Sequence, residues 1–179
     1  AEYIIKREKI DKIYSSDLIR AHNTALPTSR ILNIPIIDTL GLREICAGVW
    51  EGRLVSEISK EYEKEFHTWR NDYSNARCPG GESVEEVYYR VVKAVKEIAA
   101  ENDGLTLLLA SHASPIRAGE CYSQGYGWER MSDISFVKNS AFSIFEYDPE
   151  TEKITLIERD ITDHLDPSMI TFIPKGLKN

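Results

Sequence analysis

The feature that most restricts the fold of this chain is an amphipathic segment that is followed closely by an apolar one. From residue 84 to residue 101, apolar side chains recur at the 3.6-residue period of a helix that buries one face. Ser83 and Glu86 add the S-x-x-E pattern of a capping box at the start of that helix. Residues 105–110 (LTLLLA) then form an apolar run, which predicts a strand buried on both faces. A helix followed at once by a buried strand is typical of an α/β fold with a parallel sheet.

The remaining segments fit the same architecture. The other predicted elements are helices at residues 1–8, 17–32 and 54–72, a strand at 11–15, and two antiparallel strands at 141–147 and 153–159. Pro27 is expected to kink the helix that contains it or to limit the first section of that helix. We therefore predict a single α/β domain over residues 1–179, with a mixed, mostly parallel sheet and helices on both faces.

The composition argues against several classes of function. The chain has 179 residues, of which 42% are hydrophobic and 28% charged, as is ordinary for one soluble globular domain. A net charge of −7, without any basic run among aromatic residues, argues against a nucleic-acid partner. No apolar stretch approaches the length of a membrane span. Three widely spaced cysteines indicate free thiols in a reducing compartment, so we expect a cytoplasmic protein, and its oligomeric state stays open.

Two side chains are candidates for binding an anion. His112 follows the end of the apolar run at 105–110, and in open α/β sheets ligands bind at the carboxyl ends of the strands. Arg20 lies near the start of the predicted helix at 17–32, where a guanidinium can hold a phosphate bidentately. Each residue also has an ordinary structural interpretation, because a histidine at a strand end can be a cap and an arginine at a helix start is commonly solvated or paired with a carboxylate.

Glu44 is a candidate proton donor. It lies in a loop of small residues ahead of Trp50, and a carboxylate held against a hydrophobic wall has a raised pKa and can donate a proton. A glutamate exposed on a surface loop is the alternative, and Glu51 competes for the same role. Spacing alone does not choose between the two glutamates.

Motifs for metals and common cofactors are missing from the sequence. The four histidines show no H-x-x-x-H spacing, and the cysteines show no C-x-x-C pair. No Gly-x-Ser-x-Gly, P-loop or Gly-x-Gly-x-x-Gly motif occurs. We therefore expect neither a metal nor a cofactor.

Three separated stretches together resemble the histidine phosphatase superfamily, also called the phosphoglycerate-mutase-like family. They are residues 13–25 (IYSSDLIRAHNTA), 42–52 (LREICAGVWEG) and 107–118 (LLLASHASPIRA), with PGGES at 79–83 between the last two. The resemblance implies that Arg20 is the second phosphate-binding arginine, that Glu44 protonates the leaving group, and that His112 stabilises the transferred phosphoryl group. Ala113 stands where the family usually has glycine, and its small side chain keeps the backbone N–H available to the substrate.

The nucleophile of that family is missing from the sequence. In the family a histidine in an Arg-His-Gly motif becomes phosphorylated, and no Arg-His-Gly occurs in residues 1–179. Since the chain opens at Ala1 in a helical segment, we expect it to be the remainder of a longer protein, inactive by itself, with the central nucleophile strand missing from its sheet. The resemblance implies that the parent is a phosphatase of small phosphorylated metabolites, with a phosphohistidine intermediate. A phosphoglycerate mutase and a non-catalytic phosphate-binding domain are the alternatives.

Overall fold

Strand β1 (Lys12–Ser16) lies at the centre of a parallel sheet, between β2 (Ile36–Thr39) and β3 (Leu107–Ala110). The computed structural model describes residues 1–170, and within them these strands form one three-stranded sheet. Ile13 is fully buried on one face of the sheet, and Tyr14 is buried on the other. The strand at 11–15 and the parallel arrangement are therefore confirmed, with a shift of one residue at each end.

Helices cover both faces of this sheet, as the sequence predicts. The helices are α1 (Glu2–Arg7), α2 (Ile19–Leu32), α3 (Val55–Glu61), α4 (Glu63–Asn71), α5 (Val84–Ala100) and α6 (Ala113–Ser123). On one face, Ile4 of α1 and Ala25 of α2 pack with Ile13, and on the other face Ile98 of α5 packs with Tyr14. Helix α2 continues through Pro27 to Leu32.

The segment at 54–72 is two helices, so the single helix expected there is wrong. Helices α3 and α4 are separated at Tyr62, whose ψ of 47° lies outside the helical range. The break brings the rings of Tyr62 and Phe66 edge-on to Trp50, at centroid distances of 6.4 and 6.3 Å. Aromatic packing on Trp50 therefore accompanies the interruption of the local helical pattern.

Strand β3 is less buried than the sequence predicts. It begins at Leu107 rather than residue 105, all four of its residues are only partly buried, and the side chain of Leu105 is 43% exposed. The physical reason is its place in the sheet, because in residues 1–170 only β1 pairs with it and its outer edge carries no ladder. The expectation of burial on both faces is wrong for this strand.

The two antiparallel strands expected near the carboxyl end are confirmed as β4 (Phe142–Asp148) and β5 (Lys153–Ile161). Within the described residues they form a separate two-stranded sheet. Helix α1 joins the two sheets, since Ile4 packs in the core beside β1 while the ring of Tyr3 lies 6.0 Å from that of Phe142. The α/β class is therefore confirmed, with its strands divided between two sheets.

In residues 1–170, none of the helices is long and apolar enough to cross a membrane. The three cysteines are free thiols, as expected, with Cys46 exposed and Cys78 and Cys121 buried.

Candidate functional site

The candidate site lies where β1 and β3 end. Ser16 is the last residue of β1, and His112 follows β3 by two residues and caps the start of α6. Because parallel strands end at the same edge of a sheet, these two residues meet. Nε2 of His112 lies 2.9 Å from Oγ of Ser16.

Arg20 contacts the same histidine from the first turn of α2. Its Nε donates a hydrogen bond to Nδ1 of His112 over 3.1 Å. Since Nδ1 accepts, the neutral imidazole carries its proton on Nε2, which donates to Ser16. Oγ of Ser16 also accepts from the backbone N–H of Leu18 at 3.3 Å, so the start of α2 and the histidine share one hydrogen-bond network.

This environment keeps His112 neutral at physiological pH. The residue is only 8% exposed, and burial is the largest cause that lowers its pKa from 6.5 to about 4. The positive charges of Arg20 and Arg90 lower this pKa further, whereas Asp17 opposes them. A neutral imidazole beside an arginine can donate to a phosphoryl oxygen through its N–H.

Glu44 approaches the start of the same helix. Its Oε1 accepts hydrogen bonds from the backbone N–H of Ile45 at 3.0 Å and of Ser114, the second residue of α6, at 3.2 Å. Glu51 instead stays in its own loop, where Oε1 accepts from the backbone N–H of Ala47 at 2.9 Å. The structure therefore places Glu44, and not Glu51, next to the helix that His112 begins.

Ala113 is the first residue of α6 and is half-buried. In the first turn of this helix Pro115 has no N–H and the N–H of Ser114 donates to Glu44, so the N–H of Ala113 remains for a ligand at the edge where the strands end. The small side chain of Ala113 leaves that end of the helix open to an anion. The four predicted site residues, Arg20, Glu44, His112 and Ala113, are thus gathered at the amino end of α6.

The loop at residues 46–48, just after Glu44, packs its backbone against the backbone of the loop at residues 79–81. Gly48 has a φ of +58°, and a Cβ there would lie 2.2 Å from the carbonyl oxygen of Pro79. A Cβ on Gly81 would lie 2.1 Å from the carbonyl oxygen of Cys46. Only glycine fits at either position, which explains why the two glycine-containing motifs occur together.

An ion pair that the sequence did not reveal holds these loops. Arg90 of α5 donates from Nε to Oε1 of Glu82 at 2.8 Å and from Nη2 to Oε2 at 2.9 Å. Its Nη1 donates to the carbonyl oxygens of Gly41 and Arg43, each at 3.0 Å. The sequence carries no signal for this role, because Arg90 is one of several charged residues outside the buried stripe of an ordinary amphipathic helix.

No group of three or more His, Cys, Asp or Glu side chains suited to a metal ion occurs in residues 1–170. The site as described is built from a histidine, an arginine, a glutamate and the N–H groups of a helix. Such a set matches an oxyanion such as phosphate, which accepts hydrogen bonds from arginine and from helix N–H groups.

Comparisons with known proteins agree with this chemistry. The family model of the histidine phosphatase superfamily (branch 1) matches residues 1–160. The chain is 30% identical over 161 residues to phosphoserine phosphatase 1 of Hydrogenobacter thermophilus, a match that covers 90% of this chain and 75% of that protein.

Solved structures share the fold. YhfR of Bacillus stearothermophilus is 22% identical and superposes with a TM-score of 0.82 over 89% of this chain and 78% of that one. Mycobacterial glucosyl-3-phosphoglycerate phosphatase in complex with inorganic phosphate is 21% identical, with a TM-score of 0.78 over 92% of this chain and 83% of that one. The chain belongs to branch 1 of the histidine phosphatase superfamily.

Proposed function

We propose that this chain supplies most of the active site of a phosphomonoesterase that hydrolyses small phosphorylated metabolites through a phosphohistidine intermediate. The observation that carries the proposal is the meeting of Arg20, His112 and the start of α6 at one edge of the sheet. The relatives named above support the substrate class, because their names describe phosphatases of phosphoserine and of glucosyl-3-phosphoglycerate.

The geometry suggests a role for each side chain. Arg20 turns from Nδ1 of His112 to the phosphoryl oxygens, which it holds together with His112 and the backbone N–H of Ala113 at the start of α6. A nucleophilic histidine attacks phosphorus, the bond to the leaving oxygen breaks, and Glu44 gives its proton to that oxygen. Water then attacks phosphorus, Glu44 takes up a proton of that water, the bond to the nucleophile breaks and inorganic phosphate leaves.

Residues 1–179 contain no Arg-His-Gly. In this proposal the nucleophilic histidine therefore belongs to a further segment. Within residues 1–170 the outer edge of β3 has unpaired backbone groups that a further strand can use, and β3 leads to His112. We propose that an additional strand carrying Arg-His-Gly pairs there. A parallel strand at that edge ends beside His112, where its histidine reaches the phosphoryl group.

The proposal is tested by comparing residues 1–179 with the same chain extended by a strand that carries Arg-His-Gly. We expect the extended protein to hydrolyse p-nitrophenyl phosphate and residues 1–179 to give only background hydrolysis. Replacement of the added histidine by alanine is the matched control and should return the rate to background. An extended protein that folds, by circular dichroism and thermal unfolding, but remains inactive on a panel of phosphomonoesters contradicts the proposal.

The same proteins separate the two alternatives. Interconversion of phosphoglycerates at a rate similar to phosphate release would favour a mutase. Phosphate binding that Arg20→Ala weakens, without turnover in the extended protein, would favour a binding domain. We rank a binding domain lower because Glu44, when ionised, repels an anion and adds nothing to simple phosphate binding.

A further inference from the structure

We propose that Arg90 is a positioning residue that sets the place of Glu44 at the start of α6. The inference rests on the proposed function for its kinetic consequence, but its structural basis is independent of that function. It concerns the loop at residues 41–46, which carries Glu44 and contains neither helix nor strand after Leu42.

Arg90 binds the part of this loop that precedes Glu44. Its side chain is 24% exposed and reaches from α5, where Nη1 donates to the carbonyl oxygens of Gly41 and Arg43. The other donors, Nε and Nη2, form two parallel hydrogen bonds to the carboxylate of Glu82. This fork fixes the plane of the guanidinium, so the carbonyl oxygen just ahead of Glu44 has a defined partner.

Glu82 binds the part of the loop that follows Glu44. Its Oε2 accepts from the backbone N–H of Cys46 at 2.8 Å, and its own N–H donates to the carbonyl oxygen of Cys46 at 2.9 Å. The ion pair of Arg90 with Glu82 therefore holds residues 43 and 46, which flank Glu44 and its neighbour.

Glu44 depends on this support because its carboxylate has few contacts of its own. Oε1 accepts two backbone hydrogen bonds, of which one comes from the adjacent Ile45 and only that from Ser114 ties it to α6. A proton donor must lie within hydrogen-bond reach of the leaving oxygen, and a displacement of about 1 Å lowers rates by roughly 100-fold. A lysine at position 90 keeps the charge but cannot form the planar fork.

The first experiment uses residues 1–179 alone and follows the backbone amide of Ser114 by NMR. The variant Glu44→Gln gives the reference, because it shows how far the chemical shift of the Ser114 amide changes when the carboxylate is replaced by a neutral amide. We expect Arg90→Lys and Glu82→Gln to change the chemical shift of the Ser114 amide as well. Arg77→Lys is the matched control, since Arg77 also pairs with a glutamate of α5 and donates to Gly81, but does not touch residues 41–46.

The second experiment uses the extended, hydrolytic protein and two substrates. p-Nitrophenolate leaves without protonation, whereas an alkyl oxygen needs the proton of Glu44. We expect Arg90→Lys to lower kcat/KM for an alkyl phosphate about 10- to 100-fold and to change kcat/KM for p-nitrophenyl phosphate by less than about threefold. The ratio kcat/KM is compared because it covers the steps up to departure of the leaving group and not the later attack of water, which is common to both substrates.

An unmoved Ser114 amide in both Arg90→Lys and Glu82→Gln overturns the proposal, as does an equal shift in Arg77→Lys. An equal loss of kcat/KM on the two substrates also overturns it, because a merely structural role does not distinguish leaving groups. If the extended protein hydrolyses neither substrate, the proposed function fails while the Ser114 amide still decides the role of Arg90.

Discussion

Arg20 donates its Nε hydrogen to Nδ1 of His112 over 3.1 Å, and this contact selects one tautomer of the histidine. The remaining imidazole proton lies on Nε2 and is donated to Oγ of Ser16. A side chain at the end of β1, one at the start of α2 and one at the start of α6 are thereby linked. The link predicts how the histidine titrates.

We expect Arg20→Gln to raise the pKa of His112 above its value of about 4, because a nearby positive charge is removed. The pKa should stay below 6.5, since burial is the largest cause of the shift and persists in the variant. The measurement is an NMR titration of the imidazole C2 proton. Arg30→Gln, in the last turn of the same helix, is the control and should leave the titration unchanged. An identical His112 titration in Arg20→Gln would show that the contact does not exist in solution.

The same depressed pKa makes folding stability depend on pH. The unfolded histidine takes up a proton near pH 6.5 and the folded one only near pH 4, so its contribution is present above pH 6.5 and is lost as the pH falls. The loss between pH 7 and pH 4 is at most about 3 kcal/mol. Because carboxylates titrate in the same range, the quantity to measure is the difference in unfolding free energy between the parent and His112→Asn. That difference should change with pH in this direction, and a constant difference contradicts the assignment.

Gly81→Ala should destabilise the protein. A Cβ at this position would lie 2.1 Å from the carbonyl oxygen of Cys46, so one of the two loops has to move. We expect a loss of about 2–4 kcal/mol in unfolding free energy, as for other severe backbone clashes. Gly119 is the control, because nothing lies within 4 Å of a Cβ there and it is inside α6. Gly119→Ala should be neutral or stabilising by up to about 1 kcal/mol. Equal effects of the two substitutions would mean that the loops separate easily.

Features encoded by local sequence were predictable. The capping box is one, since Ser83 Oγ accepts from the N–H of Glu86 at 3.1 Å and the carboxylate of Glu86 accepts from the N–H of Ser83 at 2.8 Å. The residues lie three positions apart and need no distant partner. The parallel arrangement of the strands likewise follows from short segments whose apolar pattern is read directly from the chain.

Individual contacts between residues that are distant in the sequence were not predictable, although the resemblance to the family named Arg20, Glu44, His112 and Ala113 as one site. Ser16 and His112 are 96 residues apart, and nothing near either one specifies the pair. The interruption at Tyr62 accompanies its packing on Trp50, a tertiary contact that competes with local helix propensity. The burial of β3 depends on how many strands lie beside it. The apolar pattern of β3 itself does not predict that number. Arg90 was hidden in a helix whose periodicity was fully explained by its buried face.

Glu120 is a fully buried carboxylate whose charge is balanced by Arg159 of β5. Nε and Nη2 of Arg159 donate to its Oε2 at 3.1 and 3.0 Å, and Ser143 donates to Oε1 at 3.2 Å. Arg159→Met leaves the carboxylate without its cation and should cost about 3–5 kcal/mol of unfolding free energy at pH 7.

The pH dependence of that cost has a defined sign. Burial raises the pKa of Glu120 above 4.5 even beside Arg159, so the folded state favours the protonated form and stability from this group falls as the pH rises. Arg159→Met should therefore be less destabilising at pH 5 than at pH 7. Adding Glu120→Gln to Arg159→Met should recover most of the loss at pH 7, because a neutral amide then replaces the unpaired buried carboxylate. Arg7→Met, which removes an exposed pair with Glu158 on the same strand, is the control and should cost far less than Arg159→Met. Urea unfolding of the four proteins checks these values, and a loss in the double variant as large as in Arg159→Met alone would show that packing, not charge, explains the cost.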